Sequence, residues 1–230
     1  MCKRSFIYAW NCSFICRKLN RRKIFLGNTK EKILMTALEL FARDGYEAVS
    51  VRNIAEKLDI TKGALYRHFK SKRDIFDSIV ARMIEIDAER ARNHSMPEET
   101  YSMGAEPYKQ TSTESILEFT REQYSFWTED EFAVHFRRML TLEQYRNEEM
   151  ARLYSQCIVR GPVEYMTDLF HELIKKGELA QGDPAELAVE YCGPFFLLIS
   201  MYDCGDNPDK GIEFLQRQTR AFMERHRAGQ

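Results

Sequence analysis

The chain has 230 residues, of which 44% are hydrophobic, so it can form one small and one medium-sized domain with a real core. No apolar run approaches the ~20 residues of a membrane span, which argues against a membrane partner. The formal net charge of −1 hides an uneven distribution. Residues 1–27 contain seven Lys or Arg and no acidic residue, whereas residues 95–230 contain fourteen basic and twenty-four acidic residues. This asymmetry is typical of a protein that binds nucleic acid with one end only.

Residues 1–27 form a basic, aromatic extension without helical periodicity, and we expect it to be disordered. A signal peptide is not indicated, because Asn11 and Ser13 interrupt the apolar stretch and the basic cluster follows it. Two interpretations remain open. The segment is either a basic arm that adds phosphate contacts or an upstream extension of the reading frame, since the next pattern begins near Thr29.

Two helices are predicted on either side of residues 50–69. The first covers about 29–43, with Gly45 as its C-terminal stop. The second begins after the cap Ser71, has Asp74 in its first turn, and continues to about residue 92. The apolar stripe of the first helix is predicted to be core and comprises Ile33, Leu34, Ala37, Leu38, Leu40 and Phe41.

Residues 50–69 predict two short helices joined by a tight turn at Asp59. The first helix carries an apolar face at spacings of three and four residues: Val51, Ile54, Ala55 and Leu58. The second helix, capped by Thr61, buries Leu65 and Phe69. A helix of about two turns does not persist alone, so it must be held by its neighbour and present its outer residues to a partner. This is the pattern of a helix-turn-helix whose second helix enters the DNA major groove.

Contacts to double-stranded DNA are predicted along this motif. Lys62 and Tyr66 suit phosphates, whereas Arg67 and His68 suit base edges, with guanine as the partner of arginine. Gly63 and Ala64 are small enough to let the helix approach the bases closely. The remaining predicted contacts, mainly to the backbone, are Ser50, Arg52, Thr61, Lys70 and Lys72.

Beyond a Pro- and Gly-containing stretch at 94–110, helical periodicity returns and continues almost to the C-terminus. Helices are predicted at about 114–129, 131–145, 148–176, 183–202 and 207–225. Pro162 either kinks the third of these or starts a new helix, and a bend is expected near Pro194. No β-alternation of useful length occurs, so the predicted fold class is all-α.

The run 33–79 resembles the DNA-binding domain of the TetR/AcrR family of bacterial transcription regulators. The resemblance is carried by four stretches: 37–46 (ALELFARDGY), 49–55 (VSVRNIA), 61–69 (TKGALYRHF) and 70–76 (KSKRDIF). The family usually has Gly at the turn position of Asp59, but Asp tolerates the left-handed conformation that the turn requires. The resemblance implies an N-terminal three-helix DNA-binding domain at 28–74, a connecting helix at 75–94, and a helical effector-binding and dimerisation domain at 95–230.

The family also implies a homodimer, more often a repressor, that binds a pseudo-palindromic operator in the bacterial cytoplasm and is released by a small molecule. Helices near 163–176 and 184–202 would form the dimer interface, with Phe170, Leu173, Phe196 and Leu197 as its candidates. The candidate effector pocket is lined by aromatic and methionine side chains that could equally be plain core: Phe119, Tyr124, Trp127, Phe136, Met139, Tyr165 and Met166.

No catalytic motif, phosphate-binding loop or zinc spacing is present, so neither an enzyme nor a cofactor or metal is predicted. The six cysteines fit small buried residues of a reducing compartment. Two alternatives to a ligand-released repressor remain. One is a DNA-bound protein of the same fold without a small effector, and the other is a redox sensor acting through Cys157, Cys192 or Cys204.

Overall fold

The computed structural model describes residues 28–93 and 112–229, so residues 1–27 and most of the predicted linker lie outside the described residues. The described ranges confirm the all-α fold. Within these ranges, β-type pairing is limited to an isolated antiparallel bridge between Leu179 and Arg227. No helix in this part of the chain is long and apolar enough to cross a membrane. The helices are α1 (Asn28–Asp44), α2 (Val51–Lys57), α3 (Lys62–Tyr66), α4 (Lys72–Asn93), α5 (Thr113–Glu129), α6 (Glu131–Glu143), α7 (Glu148–Tyr154), α8 (Arg160–Lys175), α9 (Pro184–Asp203) and α10 (Pro208–Arg225).

The chain divides into two compact units, which cut across the predicted domain boundary at residue 95. The N-terminal unit comprises the described part of Asn11–Ile86 together with Glu131–Tyr154. The C-terminal unit comprises the described parts of Asp87–Asp130 and Ser155–Gln230. The predicted effector domain therefore contributes α6 and α7 to the unit that contains the helix-turn-helix.

The N-terminal unit is built around α1, which packs extensively on α6. The apolar stripe of α1 is buried as predicted, with Ile33, Ala37, Leu38 and Phe41 fully inaccessible. α6 buries its own stripe in this unit, including the fully inaccessible side chains of Phe136, Met139 and Leu140. This burial explains why α6 joins α1 in one unit, because removing these apolar surfaces from water favours their packing.

The C-terminal unit is held by a core that α5, α8, α9 and α10 share. α9 packs on α8, and α10 packs on both α5 and α9. At the centre of this core, the ring of Phe170 lies 5.3 Å from that of Phe222 and 5.4 Å from that of Tyr191. α9 is capped by Asp183, whose side chain accepts the Ala185 N–H at 2.8 Å, with Pro184 at the first helical position as predicted.

A π-helical turn, Ser155–Val159, joins α7 to α8 without a loop. The long predicted helix is therefore interrupted at Ser155–Val159, a few residues before the predicted position at Pro162. Proline has no N–H to donate to the carbonyl four residues earlier, and a wider turn just before it accommodates that loss. The π-helical turn begins where the chain passes from the N-terminal to the C-terminal unit.

Candidate nucleic-acid interface

Local capping and burial define the first half of the predicted helix-turn-helix. The Ser50 hydroxyl accepts the Asn53 N–H at 3.2 Å, and the Asn53 side chain accepts the Ser50 N–H at 2.9 Å. This reciprocal pair fixes the start of α2. Ile54 and Ala55 are buried, so one face of α2 is committed to the core of the N-terminal unit.

The turn after α2 depends on Asp59, which has a φ of +53°. The prediction that this residue adopts the left-handed conformation is confirmed. The turn is closed by the backbone, since the Ile60 N–H donates to the Ala55 carbonyl at 3.0 Å and the Asp59 N–H donates to the Glu56 carbonyl at 3.1 Å. Asp59 thus adopts the left-handed backbone conformation at the turn position where the TetR/AcrR family usually has glycine.

The second helix of the motif, α3, is only five residues long and ends earlier than predicted. Thr61 caps it by accepting the Ala64 N–H at 3.1 Å. Leu65 and Phe69 are almost fully buried, and the Phe69 N–H still donates to the Leu65 carbonyl at 3.1 Å. These two side chains anchor α3 and orient its opposite face outward.

The outward face of α3 and the residues after it carry side chains that are exposed and unpaired. They are Lys62, Tyr66, Arg67, His68 and Lys70. Tyr66 keeps half of its surface exposed although it is a large aromatic residue. Within the described ranges, none of these five side chains has a hydrogen bond or an ion pair. Their charges and donors are therefore available to a partner.

Gly63 and Ala64 lie on the same short helix between these side chains. Gly63 is exposed, and a Cβ built on it would approach nothing closer than the Thr61 hydroxyl at 3.8 Å. The small surface at this point is open, as the predicted close approach to bases requires.

Three other predicted DNA contacts are already engaged within the chain. The Lys72 ammonium donates to the Tyr46 carbonyl at 2.8 Å and lies 4.2 Å from the centre of the Tyr46 ring. Arg52 is exposed but pairs with Glu56 at 2.5 Å, and Ser50 acts as the cap of α2. Lys72 is thus a structural link between the start of α4 and the turn after α1, a role that the sequence pattern did not indicate.

The unit that contains the helix-turn-helix also includes α6 and α7, which were predicted to belong to the effector domain. The carboxylate of Glu143 is buried and accepts the backbone N–H of Tyr46 at 3.0 Å. Gly45, with a φ of +88°, leaves the room for this contact, because a Cβ there would lie 2.6 Å from the same carboxylate oxygen. One signal in the sequence marks Glu143, since it continues the buried i, i+3, i+4, i+7 stripe that begins at Phe136.

A second link joins the start of α4 to α7. The Arg73 guanidinium forms two hydrogen bonds to the Glu149 carboxylate, at 2.6 and 2.8 Å, and a third to Asp77 at 2.7 Å. The two hydrogen bonds that Arg73 donates to Glu149 hold the pKa of Glu149 below its ordinary value and raise the pKa of Arg73. A bidentate pair of this geometry fixes orientation as well as adding energy.

The predicted effector-pocket residues are buried but divided between the two units. Phe119, Tyr124, Trp127, Tyr165 and Met166 belong to the C-terminal unit, whereas Phe136 and Met139 belong to the N-terminal unit. The C-terminal unit contains a cavity of about 240 Å³ between α9 and α10. None of the seven residues lines it. Its lining is Glu190, Tyr191, Pro194, Leu215, Gln218, Thr219, Phe222 and Arg225.

The predicted dimer residues differ in accessibility. Phe170 and Leu173 are buried in the core of the C-terminal unit, so they are not available to a second copy. Phe196 is half-buried, and Leu197 keeps 62% of its surface exposed. Sequence periodicity alone could not place Phe196 and Leu197, because α9 is apolar on more than one face.

The cysteines named in the redox alternative lie in different environments. Cys157 and Cys192 are buried, and loss of solvation raises the pKa of each thiol to about 12. Such thiols remain protonated at neutral pH and are poor nucleophiles. Cys204 is exposed at the end of α9. Within the described residues, no group of three or more His, Cys, Asp or Glu is arranged to hold a metal ion.

Comparison with known proteins gives a match to one family over the helix-turn-helix region. Residues 33–79 match the profile of bacterial regulatory proteins of the tetR family. The class C tetracycline repressor protein of Escherichia coli is 38% identical over 68 residues, which are 30% of this chain and 29% of that protein. The chain spans about a quarter to a third of the length of the curated relatives it matches.

Solved structures extend the similarity to the rest of the fold. The fatty acid degradation regulator FadR of Bacillus halodurans has a TM-score of 0.62 at 18% identity, covering 87% of this chain and 98% of that one. The SmeT–triclosan complex has a TM-score of 0.61 at 18% identity, covering 86% and 90%. Residues 33–79 thus carry a domain of the tetR family of bacterial regulatory proteins, within a fold that the chain shares with these solved structures.

Proposed function

We propose that the chain is a sequence-specific DNA-binding regulator of transcription that reads its operator with α3. The observation that carries this proposal is the set of exposed, unpaired side chains on α3 and just after it, within the segment that matches the family profile. An ordinary solvated surface does not require hydrogen-bond donors to be concentrated on and just after a five-residue helix. Here they are, and the buried side chains of Leu65 and Phe69 hold that helix in place. A major groove accepts a helix of this kind.

Each side chain has a role that follows from its chemistry. Lys62 and the hydroxyl of Tyr66 bind phosphates, which position the protein without reading sequence. Arg67 donates two hydrogen bonds to a guanine edge, and His68 reads a neighbouring base. Lys70 adds a phosphate contact, and Ser50, Arg52 and Thr61 contribute from the capped ends of α2 and α3.

We further propose a homodimer formed through α9 and α10. The support is an exposed apolar stripe on α9, in which Val189 and Leu197 are more than 60% exposed and Met201 is 42% exposed. Phe214 on α10 adds a 41% exposed ring. Isolated exposed apolar residues are ordinary, but Val189, Leu197 and Met201 lie at intervals of eight and four residues on one helical face. Two-fold symmetry then requires a pseudo-palindromic operator with half-sites about 34–36 Å apart, or a multiple of that distance.

Regulation by a small effector, acting on a repressor in the cytoplasm, completes the proposal. Its support is the similar fold of SmeT, whose structure was solved as a complex with triclosan. The buried state of Cys157 and Cys192 gives no support to the redox alternative for those two residues. The alternative without an effector predicts that no small molecule changes operator affinity.

The test is selection of DNA fragments by the purified full chain, followed by sequencing. We expect an enriched motif with two inverted half-sites. A matched variant that combines Lys62→Ala and Tyr66→Phe should lose affinity for enriched and random DNA alike. Recovery of unenriched DNA by the wild type at moderate salt would contradict sequence-specific regulation.

A further inference from the structure

The cavity between α9 and α10 has a largely apolar wall and a volume that suits a small molecule. Leu215 and Phe222 of α10 are almost fully buried and line it together with Tyr191 and Pro194 of α9. The ring of Tyr191 lies 5.5 Å from that of Phe222 in an edge-on arrangement. The volume of about 240 Å³ exceeds the ~150 Å³ of a protein cavity that holds benzene, so one ring with a substituent fits.

The hydroxyl of Tyr191 is engaged inside the C-terminal unit. It is hydrogen-bonded to the hydroxyl of Thr120, which donates its own proton to the Ile116 carbonyl at 2.6 Å. Tyr191 is therefore the donor in its bond to Thr120. It contributes a fixed aromatic ring to the cavity wall, and no free hydrogen-bonding group.

One buried polar side chain in the wall of the cavity has no partner. Thr219 keeps only 4% of its surface exposed, and among the described residues its hydroxyl forms no hydrogen bond. The other buried threonines of these ranges, Thr120 and Thr128, donate to the carbonyl four residues earlier, at 2.6 and 2.8 Å. The Thr219 hydroxyl is thus left as a donor and an acceptor at the cavity, and a ligand that pairs with it offsets the cost of its burial.

Two further polar groups border the same cavity. The side chain of Gln218 is exposed and forms no hydrogen bond within the described part of the chain. Pro194 lies inside α9 and has no N–H, so it cannot donate the usual helical hydrogen bond to the Glu190 carbonyl. Glu190 and Pro194 are both lining residues. The wall therefore offers hydrogen-bond donors and acceptors beside an apolar surface.

The charged groups at the cavity are already paired with each other. The Arg225 guanidinium donates to one oxygen of the Glu190 carboxylate at 2.7 Å, and Nε2 of His226 lies 3.0 Å from the other oxygen. These contacts join α9 to the end of α10. A charged ligand would have to compete with this ion pair, whereas an uncharged ligand leaves it intact.

We propose that this cavity is a small-molecule binding site whose ligand is an uncharged aromatic ring with a hydroxyl or amide group. The ring covers the apolar wall, and the polar group pairs with Thr219. Water alone can pair with the hydroxyl, but it leaves the apolar wall in contact with solvent. The inference goes beyond the proposed function, because none of the predicted effector-pocket residues lines this cavity and binding there does not depend on DNA.

The experiment measures the affinity of the full chain for phenol, benzamide and toluene by ligand-observed nuclear magnetic resonance. The variant Thr219→Val keeps the shape of the side chain and removes the hydroxyl. Its matched control is Thr167→Val in α8, which removes a hydroxyl that donates to the Val163 carbonyl at 2.8 Å and does not line the cavity. Circular dichroism verifies that both variants are folded.

We expect phenol or benzamide to bind the wild type about threefold to tenfold more tightly than toluene, the effect of one neutral hydrogen bond. Thr219→Val should lose this preference but bind toluene as the wild type does, and Thr167→Val should keep the preference. No preference for either polar probe in the wild type, or an equal preference in Thr219→Val, would overturn the proposal.

A second copy of the chain is the competing occupant, because α9 and α10 also carry the proposed dimer face. The same titration on Leu197→Glu, a change on that face outside the cavity, tests this alternative. We expect the wild type and Leu197→Glu to bind the polar probes equally. Binding confined to Leu197→Glu would mean that a second copy closes the cavity, and it would overturn the proposal for the assembled protein. Operator recognition is tested separately by the selection of DNA fragments, so either proposal can fail without the other.

Discussion

The backbone N–H of Tyr46 donates a 3.0 Å hydrogen bond to the buried carboxylate of Glu143, a residue 97 positions later in the chain. Tyr46 lies in the turn that leads to the helix-turn-helix, and Glu143 is the last residue of α6. The bond means that α6 helps to fix the element that we propose to contact DNA. A structural change in α6 would therefore act on that turn directly through this hydrogen bond, and not by way of α4.

Replacement of Glu143 tests this link. Glu143→Ala leaves the Tyr46 N–H without its buried acceptor, so we expect the free energy of unfolding to fall by about 1–3 kcal/mol. Glu143→Gln retains an acceptor oxygen and should lose less. Glu131→Ala, at the exposed start of α6, serves as the control and should have little effect. Chemical denaturation of the three variants gives the comparison, and equal stabilities for Glu143→Ala and Glu131→Ala would contradict the role of Glu143.

The left-handed turn at Asp59 makes a separate prediction about backbone strain. Asp59→Gly should stabilise the protein by up to about 1 kcal/mol, whereas Asp59→Val should destabilise it by about 1–2 kcal/mol, because valine disfavours a φ of +53°. Both changes remove the same charge, so their difference isolates the conformational term. Thermal unfolding measures it, and indistinguishable melting temperatures would show that the turn relaxes.

The dimer proposal predicts that Leu197→Glu gives a folded monomer. Leu197 is 62% exposed in the single chain, so a charge there should not disturb the core of the C-terminal unit. Leu142→Glu, on a 39% exposed leucine of α6, is the control and should remain dimeric. Light scattering reports the mass of each variant. A Leu197→Glu protein with the mass of a dimer would rule out this face of α9 as the interface.

Asp87 predicts an unusual dependence of stability on pH. Its pKa is raised to about 7 in the folded protein from an ordinary value of 3.8, so between these values the folded state holds a proton that the unfolded state releases. Its contribution to stability is present at low pH and is lost as the pH rises from about 4 to 7. The Asp87→Asn variant does not lose stability in this way, because asparagine does not ionise. Relative to wild type, the variant should therefore gain stability across that window by up to about 4 kcal/mol, at about 1.4 kcal/mol per unit of pKa. A constant difference from pH 4 to 8, measured by urea unfolding, would show that Asp87 is not buried as an isolated carboxyl group.

Local chemistry made much of the fold predictable. The caps Ser50, Thr61 and Asp183 and the left-handed residues Gly45 and Asp59 act within a few positions of the chain, so their roles follow from short sequence patterns. Contacts between segments that are far apart in the sequence could not be predicted from such short patterns. The pairing of Lys72 with the Tyr46 carbonyl depends on where two elements meet in space. The exposure of Leu197 depends on which face of the apolar helix α9 its neighbours cover.

Replacing Arg67 is the most direct test of the central claim that α3 reads DNA sequence. The measurement is the affinity of wild type, Arg67→Ala and the control Arg220→Ala, an exposed arginine of α10, for selected operator DNA and for random DNA at one salt concentration. We expect Arg67→Ala to lose about 1–3 kcal/mol on the operator and to relax the preference at one base position, with a smaller loss on random DNA. Arg220→Ala should match the wild type on both. An equal loss on operator and random DNA for Arg67→Ala would contradict the assignment of Arg67 to base recognition.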